Sequence, residues 1–148
     1  MEVSHAIGSY IYDTNNKKYL DFAQKITDYY LNHPNLPKDK IPYWDFFAPN
    51  IPNEERDASA GAITASALLE LSKYSGAKGK RYYNDAVTMM KSLSSPAYRA
   101  ALGENNNFLI KHCVGAKGLN SEIDVPLIYA DYYYLEALLR LQNYKQKK

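Results

Sequence analysis

A segment of small residues from Asp57 to Gly76, DASAGAITASALLELSKYSG, sets the strongest limit on the fold. Alanine, serine and glycine occupy every side of the helix that this segment predicts. A helix of that kind is usually packed among other helices rather than lying on a surface. Asp57 is suited to cap its start, and Gly76 is suited to the position just after its end. We therefore expect a buried helix over residues 58–75.

A second helical pattern occurs twice along the chain. The segment KKYLDFAQKI (residues 17–26) aligns with KRYYNDAVTM (residues 80–89) at an offset of 63 residues, and both have apolar residues at helical spacing. Each precedes a long loop that leads to a helix of a different type. Alternation of amphipathic and fully buried helices is typical of an array of helical hairpins. We expect the amphipathic helices to form an outer layer around an inner one, as in a double ring.

The predicted helices cover residues 4–14, 17–32, 58–75, 79–94 and 124–143. Asp124 is placed to cap the last of these, and Pro126 suits its first turn. The segment SPAYRAAL predicts a short helical turn. The strand-like run is NNFLIKHCVG (residues 106–115), and we expect no substantial sheet.

Length and composition limit the class of protein. The chain has 148 residues, enough to bury a core as one domain over residues 1–148. A net charge of +2 gives no support for nucleic-acid binding. No apolar run approaches the roughly 20 residues of a membrane span, and the first residues do not resemble a signal peptide. The single cysteine allows no internal disulfide and fits a reducing compartment, so cytoplasm and periplasm both stay open.

Two long loops, residues 34–56 and 103–123, precede the predicted inner helices. In an array of helical hairpins such loops lie together at the end where the inner helices begin, and helix N-termini attract anions. The first loop holds four aromatic residues, Tyr43, Trp44, Phe46 and Phe47. One interpretation is a cleft for an anionic, ring-shaped ligand, with Trp44 as a plate for stacking on a sugar. The alternative is that these side chains only pack over the inner helices.

Several polar residues near these loops are candidates for the site. Arg56 can bind a ligand carboxylate or pair with Glu54 or Glu55. Asn120 and Ser121, in front of the last inner helix, can hydrogen-bond a uronate with help from the helix dipole. Acid–base chemistry on a glycosidic or vinyl-ether bond needs paired carboxylates. The candidate carboxylates are Asp45, Asp57, Glu122 and Asp124, of which we assign Asp57 and Asp124 to helix capping.

His112 and Cys113 do not form a convincing nucleophile and base. Adjacent residues of a strand point to opposite sides, and a thiol needs a base oriented by a third group. The three histidines are too far apart in sequence to indicate a metal motif.

Three segments resemble the unsaturated glucuronyl hydrolases, glycoside hydrolase family 88. They are PYWDFFAPNIPNEERDASAGAITASALLEL, NFLIKHCVG and NSEIDVPLIYADYYYLEALLR, and the resemblance runs from about Gly8 to Leu141. It implies an all-α fold with (α/α)6-toroid-like helical hairpins, of which this chain is the C-terminal portion, about half of the barrel. It also implies a hydrolase that removes a 4,5-unsaturated uronic acid from lyase-generated oligosaccharides by vinyl-ether hydration. No metal or organic cofactor is implied.

The resemblance also implies that part of the family's site has no counterpart here. The family's catalytic aspartates, and an Arg-Gly-Gln-Ala-Trp segment that helps to hold the uronate, precede the region that matches. We therefore expect no catalytic residue in this chain, and a tentative substrate-binding set of Trp44, Arg56, Asp57, Asn120 and Ser121. An inactive truncated protein and an anionic-sugar-binding module are the alternatives. A tetratricopeptide-like array is disfavoured, because its turns are short and regular.

About half of a ring leaves an open edge. The predicted inner helices carry large apolar residues, which are Ile63, Leu68, Leu69 and Leu71 on the first and Leu127, Ile128, Leu135, Leu138 and Leu139 on the second. In a full ring both flanks of each inner helix are covered, whereas those of the terminal helices here cannot be, so several hundred Å² of apolar surface should stay exposed. We expect a homodimer through this edge.

Overall fold

The computed structural model describes residues 17–146. Its helices are α1 (Lys17–Leu31), α2 (Ala58–Leu71), α3 (Gly79–Leu93) and α4 (Ile128–Gln146). Its strands are β1 (Cys113–Ala116) and β2 (Ser121–Val125), which pair antiparallel as a hairpin. Helices predicted at 17–32, 58–75, 79–94 and 124–143 are confirmed with shifted ends, and the helix predicted at 4–14 lies outside the described residues.

Helix α2 is the centre of the structure and packs against both α3 and α4. Ten of its 14 residues are buried, as expected for a helix with small residues on every side. Asp57 caps it, because its carboxylate accepts hydrogen bonds from the backbone N–H groups of Ser59 (3.0 Å) and Ala60 (3.3 Å). This capping role is confirmed.

The C-terminal end of α2 comes four residues earlier than predicted. The hydroxyl groups of Ser72 and Ser75 donate to the backbone oxygens of Leu69 and Leu71, both at 2.8 Å. These bonds satisfy carbonyls of the last turn and compete with continuation of the helix. Gly76 has a left-handed φ of +50° but starts a short 3-10 turn rather than following the helix directly.

The two copies of the amphipathic pattern form α1 and α3, each 15 residues long. Asp28 of α1 joins them, accepting hydrogen bonds from the Tyr82 hydroxyl (2.9 Å) and the Lys78 ammonium (2.7 Å). Burial opposes ionisation of Asp28, but the bonds from Lys78 and Tyr82 lower its pKa on balance. The core between the helices is closed by Tyr82, Met89 and Leu93, all fully buried.

The start of the last helix was predicted wrongly. The chain over residues 121–125 pairs with β1, with Val114 opposite Ile123 and Ala116 opposite Ser121. Asp124 therefore lies in β2 and does not cap α4, which begins at Ile128. The polar–apolar alternation of Glu122 to Val125 is the signal that the sequence reading missed.

Strand β1 overlaps the last three residues of the predicted strand-like run and ends one residue beyond it. The structure contains this small hairpin but no larger sheet within residues 17–146. The segment SPAYRAAL begins with one helix-like turn, in which the N–H groups of Tyr98 (3.1 Å) and Arg99 (2.8 Å) donate to the Ser95 carbonyl. An isolated bridge between Arg99 and Ile110 then pairs it with the second long loop.

Both long loops meet at the N-terminal end of α2. The backbone N–H of Ala58 donates to the carbonyl of His112 (2.9 Å), and that of Val114 donates to the Asp57 carboxylate (3.3 Å). The second loop is also tied to α4, because Asp131 accepts from the N–H groups of Leu109 and Ile110. No helix within residues 17–146 is long and apolar enough to cross a lipid bilayer.

Candidate functional site

A cleft of about 320 Å³ opens where the two loops meet. Its walls come from three parts of the chain: the end of the first loop, the turn after α3, and the segment around the hairpin. The lining residues are Glu54, Glu55, Arg56, Ala97, Tyr98, His112 and Asp124. Most of the wall surface is apolar, and the charged, imidazole and phenol groups among the lining residues can form hydrogen bonds.

Arg56 is held in place from two sides. Its Nε donates to the carbonyl of Ile41 (3.0 Å), its guanidinium pairs with Asp39, and the same group lies 5.1 Å from the centre of the Tyr43 ring. The Tyr98 hydroxyl donates to the other oxygen of Asp39 (3.0 Å). The alternative pairing of Arg56 with Glu54 or Glu55 is therefore wrong, because Asp39 takes that place.

Trp44 is anchored by a charged cluster at the edge of the cleft. Its indole Nε1 donates to Glu54 (2.8 Å), and Lys117 of the hairpin turn donates to the same carboxylate oxygen (2.7 Å) and pairs with Glu55. Lys117 also lies 5.1 Å from the centre of the Trp44 ring. The bonds from Lys117 and Trp44 lower the pKa of Glu54 to about 2. Glu54 and Glu55 in turn raise the pKa of Lys117.

His112 and Asp124 form a pair inside the cleft, with 2.6 Å between Nδ1 and the Asp124 oxygen. Both residues have a left-handed backbone, with φ of +61° and +53°. That conformation costs free energy for residues other than glycine, so the surrounding pairing of the loops must hold it. Cys113 points the other way and is fully buried, which raises the pKa of its thiol to about 12. The expected separation of His112 and Cys113 onto opposite sides is confirmed.

Asp57 lies behind the cleft, where only 4% of its surface is exposed. One carboxylate oxygen accepts from the backbone N–H groups of Ser59, Ala60 and Val114 and from the Ser59 hydroxyl (2.5 Å). Burial raises its pKa, although these bonds oppose the shift. Asp57 thus joins the start of α2 to β1.

Asn120 and Ser121 lie at the hairpin tip. Asn120 closes the turn that begins at Lys117, through a bond from its N–H to the Lys117 carbonyl (2.9 Å), and Ser121 is exposed at the start of β2. The expectation that they precede a helix N-terminus is wrong, because β2 separates them from α4. Lys117, three residues before Asn120, connects their hairpin to the loop that holds Trp44.

The remaining candidate carboxylates have other surroundings. Asp45 is exposed and accepts from the N–H of Phe47 (2.8 Å), which fixes a turn of the first loop. Glu122 is exposed on β2, with its side chain against Gly115. Within residues 17–146 no cluster of three histidine, cysteine or acidic side chains is placed to hold a metal ion.

The aromatic residues of the first loop divide between two surroundings. Trp44 is bonded to Glu54, which lines the cleft, whereas Phe46 stacks on His33 with 4.2 Å between ring centres and meets Tyr30 edge to face. Phe47 contacts His33 edge to face and is 75% exposed. Phe46 is therefore a packing residue, but it covers the end of α1, an expected outer helix, rather than the inner helices.

This arrangement of loops and helices is found in known proteins. A crystal structure of an unsaturated glucuronyl hydrolase specific for heparin is 48% identical, with a TM-score of 0.92 over 97% of this chain and 38% of that one. An unsaturated glucuronyl hydrolase of Formosa agariphila is 48% identical over 135 residues, which is 91% of this chain and 33% of that protein. No protein-family model matches the chain.

The chain is similar in sequence and in structure to unsaturated glucuronyl hydrolases. It spans about a third of the length of the curated relatives that it matches. The resemblance seen in the sequence is confirmed, and the helices match the helical toroid of the glucuronyl hydrolases over part of its length. A mutant unsaturated glucuronyl hydrolase of Streptococcus agalactiae, 28% identical with a TM-score of 0.84, was solved complexed with dGlcA-GalNAc6S and covers 94% of this chain and 37% of its own.

Sequence reasoning missed three residues that shape the cleft and its surroundings. Lys117 and Asp39 hold Trp44 and Arg56 in place, and Tyr98 lines the cleft from the turn after α3. Lys117 stands in a turn, GAKG, which gives no sign of a partner more than 60 residues away. For Asp39 the sequence gives one indication of its partner, because Asp39 lies in the same proline-rich loop as Arg56.

Proposed function

We propose that this chain is part of a glycoside hydrolase that removes a 4,5-unsaturated uronic acid from oligosaccharides left by polysaccharide lyases. Vinyl-ether hydration is the proposed reaction. The observation that carries the proposal is the match, at 48% identity and a TM-score of 0.92, to an unsaturated glucuronyl hydrolase specific for heparin. Residues 1–148 are proposed to form one domain, the C-terminal portion of such an enzyme.

The proposed contribution of this chain is the rim of the sugar site. Trp44 offers a partly exposed indole plate, and Arg56 offers a guanidinium beside the cleft. Asn120 and Ser121 add polar groups from the hairpin tip, which Lys117 ties to the same loop. Asp57 acts indirectly, since its buried carboxylate fixes the start of α2 and the position of β1. The ligand is an unsaturated uronyl oligosaccharide.

Binding is tested by isothermal titration with an unsaturated uronyl disaccharide. Trp44→Ala is expected to weaken binding about tenfold, because an aromatic plate contributes roughly 0.5–1.5 kcal/mol beyond its area. The matched control is Phe47→Ala, an aromatic residue of the same loop that is 75% exposed and contacts His33 instead of the cleft. Equal weakening by both variants, or no heat of binding at millimolar sugar, counts against a sugar site at this rim.

Activity of the chain alone is tested separately. The resemblance puts the catalytic aspartates in a region with no counterpart here, so we expect no release of unsaturated uronic acid by these 148 residues. The readout is loss of the unsaturated uronide absorbance. A loss proportional to chain concentration that Asp57→Asn or Asp124→Asn abolishes refutes the assignment. Binding without turnover is the expected outcome, and the alternative of an anionic-sugar-binding module shares it.

We also propose that the chain forms a homodimer through an open edge of the barrel. The support is the exposed apolar residues of α4, among them Ile128 (71% exposed) and Leu139 (56% exposed). Patches of this kind on a folded protein usually mark an interface.

A further inference from the structure

The guanidinium of Arg56, which lines the cleft, is already paired within the chain. It forms an ion pair with Asp39, and its Nε donates to the carbonyl of Ile41 (3.0 Å). A carboxylate in contact with a guanidinium balances its charge. Arg56 therefore brings hydrogen-bond donors to the cleft, but no surplus positive charge.

The ammonium of Lys117, at the opposite edge of the first loop, is paired with two carboxylates. It lies 2.7 Å from Glu54 and also pairs with Glu55. Glu54 is ionised at neutral pH, because the bonds from Lys117 and Trp44 lower its pKa to about 2. Two carboxylates on one ammonium leave a surplus negative charge on this wall of the cleft.

The pair of His112 and Asp124 adds no positive charge either. Its Nδ1 to Oδ1 distance is 2.6 Å. A protonated imidazole is balanced by the Asp124 carboxylate, and a neutral one leaves that carboxylate uncompensated. Lys111, beside His112 in sequence, is not a lining residue, and its ammonium donates to the carbonyl of Pro96 (2.8 Å).

Negative charge thus exceeds positive charge among the described residues that line the cleft and their ion-pair partners. Four carboxylates accompany two permanent cations, which gives a net charge of −2, or −1 when His112 is protonated. The carboxylates are those of Asp39, Glu54, Glu55 and Asp124, and the cations are Arg56 and Lys117.

We propose that this cleft binds an uncharged, hydroxyl-bearing sugar ring of the ligand and disfavours a sulfate or carboxylate group. The inference rests on the sugar-binding function proposed above and specifies which part of the oligosaccharide the cleft takes. The volume of about 320 Å³ lies at the lower end of the range for small-molecule sites, which suits one sugar ring. The uronate of the same ligand is then held outside this cleft.

The hydrogen-bonding groups of the cleft match the same kind of ligand. The Tyr98 hydroxyl donates its hydrogen to Asp39 (3.0 Å), so its oxygen is left to accept, as the carboxylate oxygens do. Sugar hydroxyls can donate to these acceptors, whereas an ionised sulfate or carboxylate has no hydrogen to donate and carries a like charge. Most of the wall is apolar, and the C–H face of a sugar ring can cover it.

The test is isothermal titration of the 148-residue chain with two unsaturated uronyl disaccharides that differ only in a sulfate ester on the second sugar. Low ionic strength keeps the screening of charges weak. The unsulfated disaccharide is expected to bind about fivefold more tightly, because one like charge at about 4 Å changes an affinity by that factor even in water.

A variant of the cleft wall shows whether charge sets this preference. Glu55→Gln removes one negative charge and leaves Lys117 paired with Glu54. It is expected to tighten binding of the sulfated disaccharide about fivefold and to change that of the unsulfated one by less than about twofold. The matched control is Asp21→Asn, the same change of charge at an exposed residue near the start of α1, away from the first loop. It is expected to leave both affinities unchanged.

The outcomes separate this inference from the proposed function. Equal affinity for the two disaccharides, or tighter binding of the sulfated one by the wild-type chain, overturns the inference and leaves the proposed function standing. Unchanged binding of the sulfated disaccharide by Glu55→Gln also overturns it, because the charge of the cleft then does not set the preference. A chain that gives no heat with either disaccharide overturns the sugar site and this inference together.

Discussion

Helices α2 and α4 carry similar large apolar residues, but the structure covers them differently. Ile63, Leu68, Leu69 and Leu71 of α2 are at most 5% exposed. In the second predicted set, only Leu127, which precedes α4, is as well covered (8%), while Ile128, Leu135, Leu138 and Leu139 range from 38% to 71%.

The difference comes from position in the array, because α2 has α3 and α4 as neighbours whereas α4 is the last helix described. An apolar sequence thus indicates what a helix is able to bury, and its neighbours decide what is buried. The expectation of an exposed apolar edge is confirmed on α4.

The largest expected effect is on stability. Leu68→Ala is expected to lower the free energy of unfolding by about 3 kcal/mol, because Leu68 is 1% exposed and the change leaves a cavity in the core. Leu135→Ala removes the same atoms from a side chain that is 52% exposed, and is expected to cost below about 1 kcal/mol. Urea titrations at submicromolar protein, where self-association is weak, measure both. Similar losses for the two variants contradict the comparison.

The second effect concerns two buried aspartates, Asp57 at the start of α2 and Asp131 in the first turn of α4. Asp131 uses both carboxylate oxygens, one for the N–H of Leu109 (2.8 Å) and one for that of Ile110 (2.9 Å). Asp57 receives its donors on a single oxygen. Asparagine keeps one acceptor oxygen and replaces the other with a donor.

Asp131→Asn is therefore expected to cost about 2 kcal/mol, since one buried N–H then faces another donor. Asp57→Asn is expected to cost below about 1 kcal/mol, because its amide oxygen accepts the same bonds. Thermal unfolding followed by circular dichroism ranks the two variants. A larger loss for Asp57→Asn indicates that the charge of Asp57, rather than its geometry, stabilises the start of α2.

The smallest effect is a pH dependence at the loop that leads into α2. Folding lowers the pKa of Glu54 from its ordinary value of 4.5 to about 2, mainly through the bond from Lys117. A carboxyl with a lowered pKa stabilises the fold above its unfolded pKa, and this contribution is lost as the pH falls toward the folded pKa. The anchoring of Trp44 is thus expected to stay constant from neutral pH to about 4.5 and to weaken between about 4.5 and 2.

The fluorescence of Trp44, the single tryptophan, reports this change directly. Glu54→Gln is expected to remove the acid transition, whereas Glu104→Gln, at an exposed glutamate that accepts from the N–H of Ala101, is expected to keep it. A wild-type transition centred near 4.5 shows that Lys117 does not hold Glu54 in solution.

Much of the helical framework was predictable from local sequence. Residues 58–71 had to form a buried helix because small residues lie on every side of it, and Asp57 had to begin it because a carboxylate satisfies free N–H groups. The 63-residue repeat likewise predicted α1 and α3 nearly to their ends. These features depend on residues within a few turns of one another, which is the range over which spacing and capping act.

The site was predictable only in part. Trp44 and Arg56 were named from the composition of their loop. Arg56 lines the cleft, and Trp44 donates a hydrogen bond to Glu54, which also lines it. Asn120, Ser121 and Asp124 were assigned to a helix start that does not exist, because pairing between β1 and β2 prevailed over the helical signal. The positions of these three residues depend on the pairing of β2 with β1.

The sequence by itself determined which segments are helical, where α2 begins, and the family that the chain resembles. The tertiary structure alone decided that Lys117 pairs with Glu54 and Glu55 and that Arg56 pairs with Asp39. It also decided that one apolar side of α4 stays exposed. The physical reason is distance along the chain. Lys117 is more than 60 residues from its partners, and a charged side chain in a loop has many possible partners until the fold brings one of them within hydrogen-bonding reach.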